Sequence, residues 1–438
     1  MVNLGSEKRK AIINIVLMYS FILLFPAFGP VLNKLVTIYD SGIYSSIFLL
    51  FLSIGFLIPY KLYRKEKQLI PLYKILIIFL TVVTFYSGSE IKIISFILLG
   101  VTIARCFVDW IYTYYYLYLE VNINLFFGYI LFITYGTLYI GNVVIPSLPT
   151  NLMFIFIIII PVLSFLFSLF DNKEDYLYKE ISKSHKENSS YKKIILTILI
   201  IYIAAGTTYN GIYPNLIVYS VFDRYLNVLP FLPAVLIAAY YTNRKNSFIL
   251  VYLGIIFLGF SFVSLFISNG IGQYLMIQSN LQIAWALLDL YAWIAGAKYA
   301  IHHNNPRLQV LFIASFLLGT TLGSFINQYL SHNILNDFVF YHAIITLLPL
   351  FIALFISAIF KLTDDEEIVN HSIKSYKIIQ NDKLTKREKE IARLLLLDKT
   401  NLDICSELHI SINTLKTHNK NIYRKLGVSN KTEISKYI

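Results

Sequence analysis

The residues whose types most directly suggest a chemistry lie near the C-terminus, between Ser411 and Leu426. This stretch contains four basic residues, Lys416, Lys420, Arg424 and Lys425, and no acidic one. An α-helix fits the major groove of duplex DNA, where ammonium and guanidinium groups reach base acceptors and phosphates. We therefore interpret the stretch as a DNA-contacting helix. The alternative is that the basic residues form only a solvated face.

The surrounding segment, Leu384 to Ile438, is divided by helix-boundary residues into four short helices. Thr385 with Glu388, and Thr400 with Asp403, have the spacing of capping boxes, which begin helices. The later boundaries are Ser411 (start of the third helix), Gly427 (its end) and Asn430 with Glu433 (start of the fourth). Apolar residues at helical spacing predict the core: Ile391, Leu394, Leu395, Ile404, Leu408, Leu415, Ile422 and Leu426. Four short helices with a tight turn between the second and third describe a helix-turn-helix domain.

This segment resembles the LuxR/NarL type of helix-turn-helix almost end to end, through LTKREKEI at its start and SELHISINTLKTHNKNIYRKLGV in its second half. The resemblance implies a double-stranded DNA operator as partner. It places Lys416, Thr417 and Lys420 at base edges, and near phosphates it places Ser411, Thr414, Arg424, Lys425 and Lys431. It also implies isolated domains that are monomeric or weakly dimeric, with the last helix, about Lys431 to Tyr437, as the usual contact of a homodimer.

The composition of the remaining chain predicts a polytopic membrane protein. The chain is 57% hydrophobic and only 14% charged, which excludes an ordinary soluble domain over its first 360 or so residues. Apolar runs of about 20 residues are long enough to cross a bilayer. Twelve such spans are predicted, at 11–32, 43–60, 73–89, 91–115, 124–145, 151–170, 192–212, 226–242, 247–268, 274–300, 308–329 and 338–361. The predicted fold class is all-α, a bundle of about twelve transmembrane helices followed by the small four-helix domain.

The distribution of basic residues predicts the orientation of the bundle. With residues 1–10 in the cytoplasm, most loop lysines and arginines fall on the cytoplasmic side, and only Lys34, Lys92 and Arg224 fall outside. An even number of spans then places both termini in the cytoplasm of a cell-membrane protein. The DNA-binding segment would therefore share a compartment with DNA.

The chain contains little that suggests catalysis or a bound metal. The two cysteines, Cys106 and Cys405, predict no disulfide and no metal site. His302 and His303 lack cysteine or acidic companions at metal-ligand spacing. No Gly-rich phosphate loop or nucleophile constellation occurs. We expect no enzyme activity, no catalytic residue and no cofactor.

Two landmarks recur in the membrane region at the same offset, on either side of a basic loop at 171–191. Arg64-Lys65 matches Arg244-Lys245, and Asp109 matches Asp289, each 180 residues apart. This predicts parallel halves, 11–170 and 192–361, related about the membrane normal. The layout resembles that of the major facilitator superfamily, although the Gly/Asp/Arg-rich loop signature of that family is nearly absent.

By that resemblance, spans one, four, seven and ten line a central cavity. Span four contains Arg105, Asp109 and Trp110, and span ten contains Gln282, Trp285, Asp289 and Trp293. Charges at bilayer depth are costly and need a partner or a role. One interpretation is a ligand pocket in which carboxylates bind a cation or hydrogen-bond donor and aromatic faces bind an apolar body. Weaker candidates are Tyr19 in span one and Tyr202, Tyr209 and Asn210 in span seven. The other interpretation is structural pairing, for example of Arg105 with Asp109.

The two regions are joined by residues 362–383, a linker or a helical lever, before the DNA-binding domain at 384–438. The fusion suggests a membrane-bound one-component transcriptional regulator whose membrane domain binds a small molecule and controls DNA binding. A transporter of the major facilitator type that doubles as a regulator is the main alternative. A membrane tether without a sensor role is a third.

Overall fold

The computed structural model describes residues 6–27, 29–36, 38–59, 63–119, 121–169, 190–211, 220–242, 247–267, 270–303, 305–333, 352, 383–396, 400–408, 410–430 and 433–434. Within these residues the chain is helical and contains no strand. The predicted all-α fold class is confirmed. The linker 362–383 and most of the fourth helix of the C-terminal domain lie outside the described residues.

The membrane region contains thirteen α-helices among the described residues. They are α1 (Ser6–Leu24), α2 (Pro30–Leu35), α3 (Ile38–Leu57), α4 (Tyr63–Tyr86), α5 (Ser89–Tyr114), α6 (Ile123–Val144), α7 (Thr150–Leu169), α8 (Ser190–Gly211), α9 (Ser220–Leu226), α10 (Phe231–Thr242), α11 (Ile249–Ile267), α12 (Ile271–His302) and α13 (Arg307–Asn333). Eleven of the predicted spans have a counterpart among them. The twelfth, 338–361, falls outside the described residues apart from Ile352.

Two predicted spans differ from the structure because proline interrupts them. The first does not run from 11 to 32, since α1 ends at Leu24 and α2 begins at Pro30. The eighth was predicted at 226–242, but its helix α10 begins only at Phe231, directly after Pro230. Proline cannot donate a main-chain hydrogen bond and clashes with the preceding turn, so it favours a helix start over a helix interior.

Seven helical segments, counted over the described residues only, are long and apolar enough to cross a membrane: Asp40–Leu57, Gln68–Tyr86, Ser89–Tyr114, Ile123–Ser147, Thr150–Leu169, Arg224–Thr242 and Arg307–Ile326. Several of the other helices are shorter or more polar. The long helix α12, for example, includes Gln278, Gln282 and Asp289, all buried. The segments identify a membrane protein.

The packing of the helices repeats between the two halves of the bundle. In the first half α1 packs on α6, and α4 and α3 pack on α5. In the second half α8 packs on α13, and α11 and α10 pack on α12. The halves meet through α3 with α13 and through α6 with α10. These matching pairs are the structural form of the predicted six-plus-six pseudo-repeat.

Glycines bring the main chains of α8 and α13 into direct contact. A Cβ atom at Gly323 would lie 2.1 Å from the carbonyl oxygen of Ile203, and one at Gly206 would lie 2.2 Å from that of Thr320. Close approach at small residues is the usual way in which helices associate where no water drives them together. The contact fixes the position of Tyr202, which belongs to the cavity described below.

The C-terminal domain has a hydrophobic core of its own. Its helices α14 (Lys386–Leu396), α15 (Asn401–Leu408) and α16 (Ile412–Leu426) enclose a cluster separate from that of the bundle. The cluster comprises Leu384, Ile391, Ala392, Leu394, Leu395, Leu396, Ile404, Leu415, Ile422, Leu426 and Ile434. Leu408 packs against it partly buried. The predicted core positions of this domain are confirmed.

Candidate DNA-binding surface and membrane cavity

Reciprocal caps position the helices of the C-terminal domain. The Glu388 carboxylate accepts a hydrogen bond from the Thr385 amide at 2.8 Å, and the Thr385 hydroxyl accepts one from the Glu388 amide at 3.3 Å. Thr400 and Asp403 form the same arrangement before α15, at 3.1 and 3.2 Å. These are the two predicted capping boxes. They satisfy amides that would otherwise lack partners at the helix starts.

Helix α16 is bounded at both ends by the residues that the sequence indicates. The Ser411 hydroxyl accepts a hydrogen bond from the Thr414 amide at 3.1 Å. At the other end Gly427 adopts the left-handed conformation with φ of 69°. There the amides of Gly427 and Val428 bond back to the carbonyls of Arg424 and Tyr423 at 3.4 and 3.0 Å. This closing motif is inexpensive only for glycine.

The two faces of α16 are chemically distinct. Leu415, Ile422 and Leu426 are buried in the domain core. The opposite face exposes Asn413, Lys416, Thr417, Lys420 and Arg424. Residues spaced by three, four and seven positions share one side of a helix, so these five side chains form a continuous stripe. The stripe presents donors suited to base edges and phosphates.

The residues predicted to lie near phosphates differ in their surroundings. Ser411 and Thr414 are exposed and share a hydrogen bond of 2.8 Å between their hydroxyls at the start of α16. Arg424 is exposed and donates to the Asn421 side chain at 3.3 Å. Lys425 instead donates to the Glu388 carboxylate at 2.6 Å. Lys431 lies outside the described residues.

The Lys425–Glu388 ion pair gives Lys425 a structural contact that the sequence interpretation missed. The side chains are 29% and 5% exposed, so the pair is partly shielded from solvent, and it ties the end of α16 to the start of α14. Glu388 thus serves both the cap and the pair. The sequence signal available was only the capping box, which does not reveal a partner 37 residues away.

Asn413 is a second residue that the sequence interpretation missed. Its side chain lies on the exposed stripe, one turn before Lys416. An amide side chain can bind adenine through two hydrogen bonds in the major groove. The spacing of Asn413 from Lys416 and Lys420 was a signal that the sequence offered, but an uncharged side chain does not stand out among the basic residues of this helix.

The bundle encloses a cavity between its two halves. The described residues that line it are Tyr19, Ile22, Leu23, Ala27, Leu49, Leu52, Phe56, Phe107, Tyr135, Tyr202, Trp285, Asp289, Trp293, Ile313, Phe316, Leu317 and Thr320. The volume of this cavity is about 80 Å³. The wall includes side chains from the predicted lining helices α1, α5, α8 and α12, and also from α3, α6 and α13. A cavity of this kind, apolar with a few polar groups, is typical of small-molecule sites.

Asp289 is the polar centre of this cavity and is 6% exposed. The Tyr202 hydroxyl of α8 donates to one carboxylate oxygen at 2.6 Å, and the Tyr135 hydroxyl of α6 donates to the other at 2.7 Å. Hydrogen bonds to a charged acceptor are short and strong, and they offset part of the cost of burying the carboxylate. Asp289 therefore connects helices from both halves of the bundle.

Aromatic rings surround the Asp289 site. Trp285 lies 5.7 Å from Tyr202 between ring centroids, and Trp293 lies 6.0 Å from Tyr19. Tyr135 stacks on Phe231 at 3.6 Å with nearly parallel planes. Tyr135 escaped the sequence interpretation because it comes from span five and because tyrosine occurs 34 times in the chain.

The other residues proposed for ligand binding lie outside the described cavity wall, which includes Trp285, Asp289 and Trp293 but not Arg105, Asp109, Trp110 or Gln282. Arg105 donates to the carbonyls of Gly55 and Ile58 at the end of α3, at 3.3 and 3.1 Å. The Trp110 indole donates to the Ala11 carbonyl at 2.9 Å, and Gln282 donates to Asn227 at 3.1 Å. The contacts of Arg105, Trp110 and Gln282 tie neighbouring segments together. The ligand site proposed below is therefore built from the residues of the cavity wall.

Among the described residues, no group of three or more His, Cys, Asp or Glu side chains could hold a metal ion. The His302 and His303 rings lie 4.5 Å apart between centroids, with Tyr299 stacked on His303. In this part of the chain the two histidines belong to an aromatic cluster.

The arrangement of helices and surfaces defines a membrane protein that carries a DNA-binding regulatory domain. Residues 382–438 match the family model of bacterial regulatory proteins of the luxR family. The spore germination protein GerE of Bacillus subtilis is 48% identical over 50 residues, which is 11% of this chain and 68% of GerE. Through this domain the chain belongs to the LuxR family of bacterial regulatory proteins.

Other relatives share only their DNA-binding part with this chain. The transcriptional regulatory protein LiaR of Bacillus subtilis is 48% identical over 59 residues, 14% of this chain and 28% of LiaR. The CsgBAC operon transcriptional regulatory protein of Escherichia coli is 41% identical over 58 residues, 13% of this chain and 27% of that protein. The chain thus spans little more than a quarter of these two relatives, and the match says nothing of their other domains.

The membrane region is similar in fold to a solved transporter of the major facilitator type. The crystal structure of the human organic anion transporter MFSD10 superposes with a TM-score of 0.58 at 12% identity, covering 80% of this chain and all of that one. At this identity the likeness shows the fold alone. The predicted resemblances of both regions are confirmed, and the matches indicate a regulator and a transporter-like fold rather than an enzyme family.

The Glu388 contacts predict how the DNA-binding domain responds to acid. Burial raises the pKa of Glu388, but hydrogen bonds from Lys425 and Thr385 lower it by more, so the pKa of this carboxyl lies below its usual value. A depressed pKa stabilises the folded domain above the unfolded pKa, and this stabilisation is lost as the pH falls through the folded pKa. Urea unfolding of residues 383–438 should show less dependence on pH below about pH 5 in Glu388→Gln than in the wild type.

The matched control is Glu390→Gln, which removes an exposed ion pair with Arg387 at 2.7 Å. Exposed pairs contribute little, so this variant should keep the wild-type acid dependence. If Glu388→Gln and wild type lose stability in parallel over the same pH range, the assignment of Glu388 is wrong.

Proposed function

We propose that this protein is a membrane-bound one-component transcriptional regulator of the cell membrane. A small molecule binds in the cavity around Asp289 and changes the affinity of the C-terminal domain for an operator in double-stranded DNA. The observation that carries the proposal is the presence, in one chain, of an exposed basic stripe on α16 and of a cavity whose central carboxylate connects the two halves of a bundle.

The exposed face of α16 supports the proposed binding of operator DNA. Lys416, Thr417 and Lys420 lie together on the exposed face of α16, where they can read base edges, and Asn413 extends that face. Arg424, Ser411 and Thr414 lie at its ends and can hold the flanking phosphates. Lys425 is assigned instead to the Glu388 pair.

The contacts between the two halves of the bundle support the proposed effect of a ligand on their arrangement. Besides the Asp289 site, Ser46 of α3 bonds to Ser324 of α13 at 2.7 Å, and Asn124 of α6 donates to the Thr242 carbonyl of α10 at 2.7 Å. A ligand that engages Asp289 acts on the same carboxylate to which Tyr135 and Tyr202 donate. It therefore favours one arrangement of the halves over another, which is what a population shift requires.

The predicted orientation, with both termini in the cytoplasm, is supported by the role of the basic residues on the opposite side. Lys34 donates to the carbonyl of Pro146 at 3.3 Å, and Arg224 donates to that of Val143 at 2.7 Å. Both residues thus neutralise main-chain carbonyls at the end of α6. Their structural role explains basic residues on a side that otherwise has few.

The proposed signal from the cavity to DNA is a change in how the C-terminal domains of two chains are arranged. Confinement to a membrane raises the effective concentration of the domains, which favours a homodimer on an operator of two half-sites. The last helix, about 431–437, is the proposed contact, although most of it lies outside the described residues. Ile434 within it is buried in the domain core.

A transporter that also regulates is the second candidate, favoured by the likeness to MFSD10. Coupled uptake would need a carboxylate in the cavity, and Asp289 occupies that position. Uptake of candidate compounds into sealed vesicles, compared between wild type and Asp289→Asn, separates the two functions. Uptake that depends on Asp289 would favour the transporter.

The DNA-binding assignment predicts that lysines at base edges and a lysine near a phosphate have different effects on DNA binding when they are replaced. Lys416→Ala and Lys420→Ala should each weaken operator binding by about 1 to 3 kcal/mol per lost base contact and reduce the preference for operator over random DNA. Lys431→Ala should weaken both DNAs alike, because a phosphate contact carries no sequence information. Titration of the purified chain with both DNAs measures this, and equal losses for Lys416→Ala on the two DNAs would contradict the assignment.

The sensor assignment predicts that loss of one hydroxyl alters transcription. Tyr135→Phe keeps the stacking on Phe231 but removes one of the two donors to Asp289, at a cost of about 1.5 to 3 kcal/mol in the arrangement that contains it. Transcripts controlled by this protein should change without any added compound. The matched control is Tyr129→Phe, an exposed tyrosine of the same helix. Identical transcript profiles for both variants and the wild type would favour a tether without a sensor role.

A further inference from the structure

The charge of the cavity wall limits which ligands it can hold. Among the described lining residues, Asp289 is the one carboxylate, and none is a lysine, arginine or histidine. Inside a protein, an unmatched charge interacts far more strongly than in water. An anionic ligand would therefore face Asp289 without a compensating cation from this wall, whereas a cation would be matched by it.

The carboxylate has capacity left for a ligand. Each oxygen of Asp289 accepts one tyrosine hydroxyl, while an ionised carboxylate offers about four acceptor sites. The tyrosines hold the group in place without neutralising its charge. A positively charged ligand can therefore approach Asp289 while both tyrosine contacts remain or while one of them is exchanged.

The aromatic rings suit the same kind of ligand. Trp285 and Trp293 flank Asp289 on α12, at positions 285 and 293, one turn to each side. Tyr19 and Tyr202 pack against these two indoles. Aromatic faces attract cations, and tryptophan does so most strongly. Apart from Tyr135 and Thr320, the rest of the described wall is aliphatic or phenylalanine, which favours a ligand with apolar substituents.

We infer that the ligand of this cavity is a lipophilic organic cation of single positive charge, bound with its charge at Asp289 and its apolar groups among the aromatic rings of α12, α8 and α1. The inference rests on the proposed function, since it names the class of ligand for the same site. The inference gives this cavity a preference for cations, whereas an organic anion carrier with the same fold binds anions.

Binding can be followed through the tryptophans of the protein itself. The chain contains three, and two of them line the cavity. In the full-length Trp110→Phe chain in detergent, fluorescence excited at a wavelength specific for tryptophan therefore reports on Trp285 and Trp293. The probes are tetraphenylphosphonium, its anionic counterpart tetraphenylborate and neutral triphenylphosphine oxide.

The expected result is a saturable change with the phosphonium, at least tenfold weaker binding of the neutral probe and no saturable change with the borate. Asp289→Asn should lower phosphonium affinity at least tenfold and leave the neutral probe unaffected. Saturable borate binding as tight as that of the phosphonium, or no phosphonium binding by a folded wild-type chain, overturns the inference. If Asp289→Asn does not fold, the comparison of the three probes in the wild type decides.

A second measurement separates this inference from the proposed function. Operator binding by the full-length chain is titrated with and without phosphonium. Phosphonium that binds at Asp289 but leaves operator affinity unchanged supports the ligand class and counts against the sensor. Control of operator affinity by an anionic or neutral compound, with no binding of the phosphonium, supports the sensor and overturns the ligand class.

Discussion

The membrane region depends on one buried interaction, the Asp289 carboxylate held by the hydroxyls of Tyr135 and Tyr202. A carboxylate at this depth is costly unless it is matched by donors. The two donors come from α6 and α8, which belong to different halves of the bundle, so the requirement to satisfy one charge also brings the halves together. Any ligand that uses this carboxylate acts on the contact between the halves. In the proposed function, the ligand site and the contact between the halves therefore share the same atoms.

The DNA-binding domain solves a comparable problem with Glu388. This buried carboxylate caps α14 and pairs with Lys425 at the end of α16. The pair fixes the helix that presents Lys416 and Lys420, while those two side chains remain exposed. The domain therefore has a hydrophobic core of its own, and the proposed DNA-binding face lies outside that core. Under the proposed function, regulation therefore acts on the position of the C-terminal domain or on its pairing with a second copy, rather than on its internal fold.

The sequence was sufficient for features set by local chemistry. The caps at Thr385, Thr400 and Ser411 and the closing Gly427 could be predicted because each depends on residues within a few positions. The repeat could also be predicted, because Asp109 and Asp289 recur at a constant offset. Contacts between distant helices could not. Arg105 and Asp109 are one turn apart, yet Arg105 donates to carbonyls of α3, and nothing in the local pattern indicated Tyr135 as a partner of Asp289 or Glu388 as a partner of Lys425.

The central claim is that the state of the Asp289 site controls DNA binding in the same molecule. It is tested most directly by crosslinking the full-length protein to DNA in living cells and comparing the sites occupied by wild type and Asp289→Asn at equal abundance in the membrane. The account predicts that the two proteins recognise the same operator sequences but occupy them to different extents. Equal occupancy of every site by both proteins would contradict it.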